Sequence, residues 1–431
     1  MQHRSNNKPS NIASGFASTK WLDQHGFYCP SLVLIFFIAT LAVVSRRPDA
    51  IFNPQFFAED GNVWFAEAYN NGWARALAIT HTGYFQTLPR LGAALALAVP
   101  LERAPLVMNL VGLVLQVAPA VFLLSTRADR WAPLRIRVLM SLAYLALPNT
   151  SELNVSITEA QWHLALLACL VVLARPPESR AGIVFDVTVL ALCGLTGPFC
   201  IVLFPAAFIV WWKERTRWRR AVAAALGSAA VVQGISLLSS AVQTRASMPL
   251  GASFNLLCRI LVSQIFLAPL FGMNSAFRRS DSYVYSLTFV GIALLIYCCV
   301  RARLEWKLFI VFSALIFAGS MITPQASYDQ PQWVALAGAW GTRYWFFPML
   351  AFVWCLLWYA GVAKNRGLKI FAIFALLIMC TRVPRYWRFK AYTDLHFSSE
   401  VRNKFDPAPP GTVVSLPILP GDQWDLKLRK K

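Results

Sequence analysis

Apolar runs recur along almost the whole chain, at 29–44 and at roughly 105–126, 138–149, 160–174, 183–196, 198–212, 221–239, 283–300, 308–322, 344–362 and 368–381. Few folds are open to such a pattern. In hydrocarbon every backbone N–H and C=O must be satisfied internally, which for runs of this length means helices. With 57% hydrophobic and 14% charged residues and a mean hydropathy of +0.51, no soluble core could hide this much apolar surface. The chain is therefore expected to be an all-α polytopic membrane protein. Several runs fall short of the ~20 residues of an ordinary span, so their boundaries are soft. The first run ends in Ser45-Arg46-Arg47-Pro48, which is no small-residue cleavage site, so it reads as a span and not a signal peptide.

The formal net charge is +20. In a soluble protein that would suggest nucleic acid, but here the arginines lie in short loops, where they orient helices and meet anionic headgroups. Nucleic-acid binding is rejected. Arg127/Arg130/Arg135/Arg137, Arg175/Arg180, Lys213/Arg215/Arg217/Arg219/Arg220, Arg301/Arg303/Lys307 and Lys364/Arg366/Lys369 occupy alternate loops, while 149–158 carries Glu152 and no Lys or Arg. The positive-inside rule then puts a polar tail, 1–28, in the cytoplasm, and 46–104, 149–158, 240–281 and 323–343 outside the cytoplasmic (inner) membrane. Parity requires 87–101 to lie along the outer surface or dip in. The same holds for 254–272, where Arg259 and Gln264 interrupt an apolar stripe. The expectation is about eleven transmembrane helices within a membrane domain at 29–381, an outer loop at 46–104 and an extracytoplasmic tail at 382–431. Ten Lys or Arg in that tail run against the rule, which long segments obey poorly. Within it, 411–418 and 424–428 read as two short strands of a small cap.

No cofactor is legible. There is no GxGxxG or GxxxxGK[ST], and the cytoplasmic loops are too short to fold a nucleotide-binding domain. The nine cysteines lie largely inside apolar runs, as at Cys169, Cys193 and Cys355, with no CxxC and no histidine at ligand spacing, so no metal site is assigned. A need for a divalent ion is left open. The long polar segments all fall outside, where nucleotide sugars and ATP are not supplied. An enzyme working there needs its leaving group delivered in the membrane, as a polyprenyl-phosphate-linked donor delivers it.

Three outer clusters could build a site. The first is Glu59-Asp60 with His81, Tyr84, Gln86 and Arg90. Aromatic, amide and imidazole groups beside carboxylates are the mixture that grips a sugar, and a poorly hydrated carboxylate can accept a proton. The two acids would serve equally well in a solvated loop or as helix caps. The second cluster runs from Asn149-Thr150-Ser151-Glu152 to Glu159-Ala160-Gln161-Trp162-His163. Gln161, Trp162 and His163 read either as substrate contacts or as interface packing around a satisfied core histidine. The third is Gly341-Thr342-Arg343-Tyr344-Trp345. Arg343 suits a phosphate held by paired hydrogen bonds, or an anchor snorkelling beside Tyr344 and Trp345. Phosphate is favoured, because an outer-leaflet arginine gains nothing from topology. Asp186, near the cytoplasmic end of its run, is expected to pair with Arg180.

Ala58-Glu59-Asp60, Gly83-Tyr84 with Leu88-Pro89-Arg90, Pro148-Asn149 with Ala160-Gln161-Trp162-His163, Gly194-Leu195-Thr196-Gly197-Pro198 and Arg343-Tyr344 with Pro348 together resemble bacterial integral-membrane glycosyltransferases of the GT-C superfamily. The resemblance covers most of the chain in architecture, through short motifs. It implies that an acidic residue of the first outer loop is the catalytic base or metal ligand, which maps onto Asp60 with Glu59 as the alternative. It also implies helices lying on the outer surface after the first span, and transfer of a sugar from a polyprenyl-phosphate-linked donor to a lipid-linked glycan or cell-surface polysaccharide. The large C-terminal soluble domain of oligosaccharyltransferases is missing, which argues against a protein acceptor recognised by such a domain. Two other readings compete. A flippase or transporter of lipid-linked sugars would want mid-membrane charges and often a repeat; this chain has almost no such charges and no visible repeat. A polysaccharide polymerase or ligase shares the location and the class of donor.

Overall fold

The computed structural model describes residues 29–239, 248–273, 278–421 and 424–431; the tail 1–28 lies outside them. The fold is helical and polytopic, with one small sheet. In chain order the main helices are α1 (Cys29–Arg46), α2 (Thr87–Ala96), α3 (Ala104–Leu124), α4 (Leu134–Leu145), α5 (Ala160–Leu173), α6 (Arg180–Gly194), α7 (Phe199–Glu214), α8 (Arg217–Ser239), α9 (Phe254–Ile260), α10 (Asp281–Arg301), α11 (Leu304–Ile322), α12 (Phe346–Gly361) and α13 (Arg366–Tyr386). Among the described residues six stretches are long and apolar enough to cross a membrane by themselves: Leu101–Leu124, Arg217–Ser239, Asp281–Arg301, Leu304–Ile322, Thr342–Gly361 and Arg366–Tyr386. The rest are shorter. The 14 residues of α5 rise only ~21 Å, against a hydrocarbon core of ~30 Å.

Burial sorts the helices. Every residue of α5 is buried, as is α12 from Phe346 to Tyr359. Around these two, α1, α8, α10 and α13 turn residues such as Leu41, Ile235, Phe289 and Phe374 outward, the face expected to meet lipid. Trp131, Trp306, Phe309 and Trp354 pack edge to face and tilted with centroids 4.7–5.9 Å apart, tying the α3–α4 turn to α11 and α12.

The helix connections gather into two sets. In one, Arg127 donates to the Arg175 carbonyl (3.0 Å), Arg130 pairs with Glu214, and Trp306 donates to the Trp131 carbonyl (2.7 Å). Asp186 belongs to this set. It takes two hydrogen bonds from Arg127 (2.7 and 2.6 Å) instead of pairing with Arg180, because tertiary packing brings the α3–α4 turn onto α6. In the other set, Phe389 N–H donates to the Arg46 carbonyl (2.8 Å), Thr87 to Leu195 (3.0 Å) and Gln332 to Pro249 (3.0 Å). Helix α2, only ten residues long, lies within this second set, and 254–271 is broken into α9, a wide turn at Leu261–Phe266 and a short helix at Ala268–Phe271.

The two strands expected near the C-terminus are present as an antiparallel hairpin of β1 (Val413–Pro417) and β2 (Asp425–Arg429). Alternation decides its faces. Val414, Leu416, Leu426 and Leu428 point inward, joining Phe56, Trp64, Phe65, Phe397 and Phe405 in a second small core. The hairpin is sewn to the first loop: Leu419 N–H donates to the Phe56 carbonyl (3.0 Å), Ala58 N–H to the Leu419 carbonyl (2.6 Å), and the Asn62 amide to the Asp425 carbonyl (2.8 Å). At Gly61 a Cβ would stand 2.9 Å from both Ile418 Cδ1 and Phe56 Cβ, so only glycine permits this approach.

Candidate functional site

Ala58 takes a left-handed backbone (φ 47°), turning the chain from the Leu419 bridge into a wide helical turn, Asp60–Phe65. The two acids part there. Glu59 stays half-buried, while Asp60 points inward and is 2% exposed. Thr158, in the turn before α5, meets Asp60 from the other side. Its backbone N–H (3.2 Å) and its hydroxyl (2.5 Å) both donate to Asp60 Oδ1, and the Trp64 indole N–H donates to the Thr158 hydroxyl (2.8 Å). Burial outweighs these hydrogen bonds and, with a smaller push from the Glu59 charge, lifts the Asp60 carboxyl to about 7.

Next to Thr158, Glu159 is a second such group. Burial raises it to about 7 against the pull of Arg343, with Glu152 and Glu59 adding repulsion. Arg343 is a hub. Its Nη1 donates to Glu152 Oε2 (3.1 Å) and lies 3.6 Å from Glu159 Oε1, and its Nη2 donates to the Gln325 carbonyl (2.7 Å). Tyr344 lies beneath the guanidinium, centroid 4.8 Å away, and its hydroxyl accepts from Gln325 N–H (2.8 Å). Arg343 is thus neither a bare anchor nor an open fork, since carboxylates already occupy it.

Arg90, on α2, pairs with Glu67 (2.5 Å) and lies over Trp64 (5.1 Å). The residue is 1% exposed, and its Nε and Nη2 find no hydrogen-bond partner among the described residues. His81 stands edge-on to Trp64 (5.0 Å). Burial lowers its pKa, against Glu59 and Glu67, which raise it. Its backbone bridges to that of Tyr84. Gln86 reaches Gln161 (3.5 Å), and its backbone bridges to Thr196. The Gly194–Pro198 motif acts as a clamp: Gly197 N–H donates to the Phe85 carbonyl (3.0 Å), and the Thr196 hydroxyl accepts from Leu88 N–H (3.1 Å). Gly197 has φ 72°, and a Cβ there would lie 2.4 Å from Gln161 Oε1.

The three clusters expected from the sequence therefore meet through Glu59, Asp60, Thr158, Glu159 and Arg343. Trp162 packs between Phe199, Tyr344 and Phe347 at their margin. His163 does not join them. Its nitrogens lie 2.8 Å from the Tyr144 hydroxyl and 3.1 Å from the Leu153 carbonyl, and its ring sits against Phe346, so the satisfied-core reading replaces the substrate contact. Sequence reasoning passed over Thr158, Glu67, Arg47 and Tyr392. Arg47 donates to the Tyr392 hydroxyl (2.5 Å) and the Ser151 carbonyl (2.9 Å), and burial pushes the Tyr392 hydroxyl up to about 12. Arg47 entered only as part of Ser45-Arg46-Arg47-Pro48, and Thr158 carries no signal of its own. Glu159 entered only as a member of the second outer cluster. Among the described residues no group of three or more His, Cys, Asp or Glu is arranged to hold a metal ion. Comparison with protein-family models and with curated proteins finds no match to this chain.

Proposed function

We propose that the chain is a GT-C-type membrane glycosyltransferase, transferring a sugar from a polyprenyl-phosphate-linked donor to a lipid-linked glycan or cell-surface polysaccharide. One observation carries this reading. Asp60 is a buried carboxyl with a pKa of about 7, where a general base works best, in a cluster assembled from three distant segments of an apolar bundle. Asp60 takes the proton of the acceptor hydroxyl as that oxygen attacks the anomeric carbon. The bond from that carbon to the phosphate oxygen breaks, and its electron pair leaves with the phosphate. A single displacement inverts the configuration. Arg343 meets the departing charge by exchanging Glu152 for phosphate, and Arg90 is a second candidate for that role. His81, Tyr84, Gln86 and Gln161 would hold sugar hydroxyls.

The same proposal includes about eleven passes at 29–381, with 382–431 on the extracytoplasmic side of the cytoplasmic membrane. Supporting it, connections of the first set carry the arginine clusters, and those of the second carry Glu59, Asp60, Glu159 and the hairpin. The test is transfer of labelled sugar from polyprenyl phosphate to a membrane acceptor, with folding of each variant checked by gel filtration in detergent. Asp60→Asn keeps the size of the side chain but cannot take the proton, so turnover should fall ~10²–10⁴-fold. Glu59→Gln should cost less. Transfer close to wild type in both variants would remove the loop from the chemistry and the reading with it.

A further inference from the structure

Thr158 hydrogen-bonds Asp60, and the transfer chemistry assigns it no task. It sits half-buried in the turn that leads into α5, and three hydrogen bonds tie it to two side chains, Trp64 and Asp60. The Trp64 indole nitrogen is 2.8 Å from its hydroxyl oxygen, Asp60 Oδ1 is 2.5 Å from that same oxygen, and Asp60 Oδ1 is also 3.2 Å from its backbone nitrogen.

Two of these hydrogen bonds have a fixed direction. An indole N–H can only donate, so Trp64 gives its hydrogen to Thr158 Oγ1. A backbone N–H can also only donate, so it gives its hydrogen to Oδ1. The hydroxyl, already accepting from Trp64, directs its own hydrogen at Oδ1. Oδ1 thus faces two donors and has no reason to carry a proton. Among the described residues Oδ2 receives no hydrogen bond.

We propose that Thr158 is a positioning residue for the base: it locks the Asp60 carboxyl by Oδ1 and reserves Oδ2 as the oxygen that accepts the proton. The assignment of a catalytic task rests on the transfer reading above; the coupling of Thr158 to Asp60 does not. Other groups facing this turn are Glu59 on the turn itself, His81 against Trp64, Glu67 and Arg90 on the helices packed against it, Asp425 on β2, Tyr392 on the tail and Glu159 beside Thr158. Removing the hydroxyl alters none of these side chains.

The measurement is infrared titration of the purified protein in detergent. The C=O stretch of protonated Asp60 is identified as the band that Asp60→Asn removes. Thr158→Val loses the hydroxyl and keeps the branched shape. The charged carboxyl then loses one of two donors, and the titration midpoint should rise by about one pH unit or more. Thr158→Ala should shift it the same way, and Thr158→Ser should return it to the wild-type value. In the transfer assay the acidic limb of the pH–rate profile should move with the band. A midpoint unmoved in the Val and Ala variants overturns the proposal, as does a Ser variant that behaves like Val. If the band moves as expected in a protein that transfers no sugar, the transfer reading falls and the coupling of Thr158 to Asp60 stands.

Discussion

Asp60 and Glu159 hold protons near neutrality for related but separable reasons. Both are desolvated; Asp60 is opposed by hydroxyl and amide donors, Glu159 by the Arg343 charge. The consequence for stability follows from the sign of the shift. Burial raises Asp60 from 3.8 to about 7 and Glu159 from 4.5 to about 7, so the folded protein binds these protons more tightly than the unfolded chain does. The stabilisation is complete below pH ~4 and is lost as pH climbs through about 7. In detergent the Tm should therefore fall between about pH 5 and pH 8, and Asp60→Asn should flatten that slope. A slope that is the same in Asp60→Asn as in the wild type would show that Asp60 is ionised in the fold throughout this window. At this scale the sequence told half the story. Glu59 and Asp60 stood out because acids are scarce beside an apolar run. The split between them did not, because it depends on Thr158, 98 residues away, a neutral side chain of a kind found in any turn.

Elements were legible where one physical term dominates. Long apolar runs gave α3, α8, α10, α11 and α13, and two alternating stretches gave β1 and β2, because hydrophobic periodicity is local information. The partner of Asp186 was not local: Arg180 is nearer along the chain, but Arg127 is nearer in space. Nor was the seam between the hairpin and the first loop. It consists of backbone hydrogen bonds at Phe56, Ala58 and Leu419, and backbone groups carry no residue signature. That seam rests on Gly61. Gly61→Ala would drive a Cβ to 2.9 Å from Phe56 Cβ and Ile418 Cδ1, an overpacking that typically costs ~1–3 kcal/mol. Amide exchange at Ala58 and Leu419 should quicken while the helices exchange as before. Gly234→Ala, on α8 with open space around it, is the control and should leave both amides unchanged. Equal protection in all three proteins would mean that the hairpin is not held through this contact.

For the whole molecule, the proposed topology makes a joint demand. The turn between α7 and α8 and the chain after Gly411 must lie on opposite sides of the membrane, since the hairpin is bonded to the loop that follows α1. A reporter fused in 213–220 should read cytoplasmic and one fused after Gly411 extracytoplasmic. If both read the same side, the proposed number of passes is wrong by an odd number.

The hairpin also has a consequence in time. Residues 411–431 are translated after every helix of the bundle, yet they brace the loop that carries Asp60, near the beginning of the chain. During synthesis that loop must wait, inserted but unbraced, until the last strand leaves the ribosome. A chain interrupted anywhere before β2 would carry its carboxylates without their brace. Translation of β2 thereby becomes a condition for the loop to be fully held.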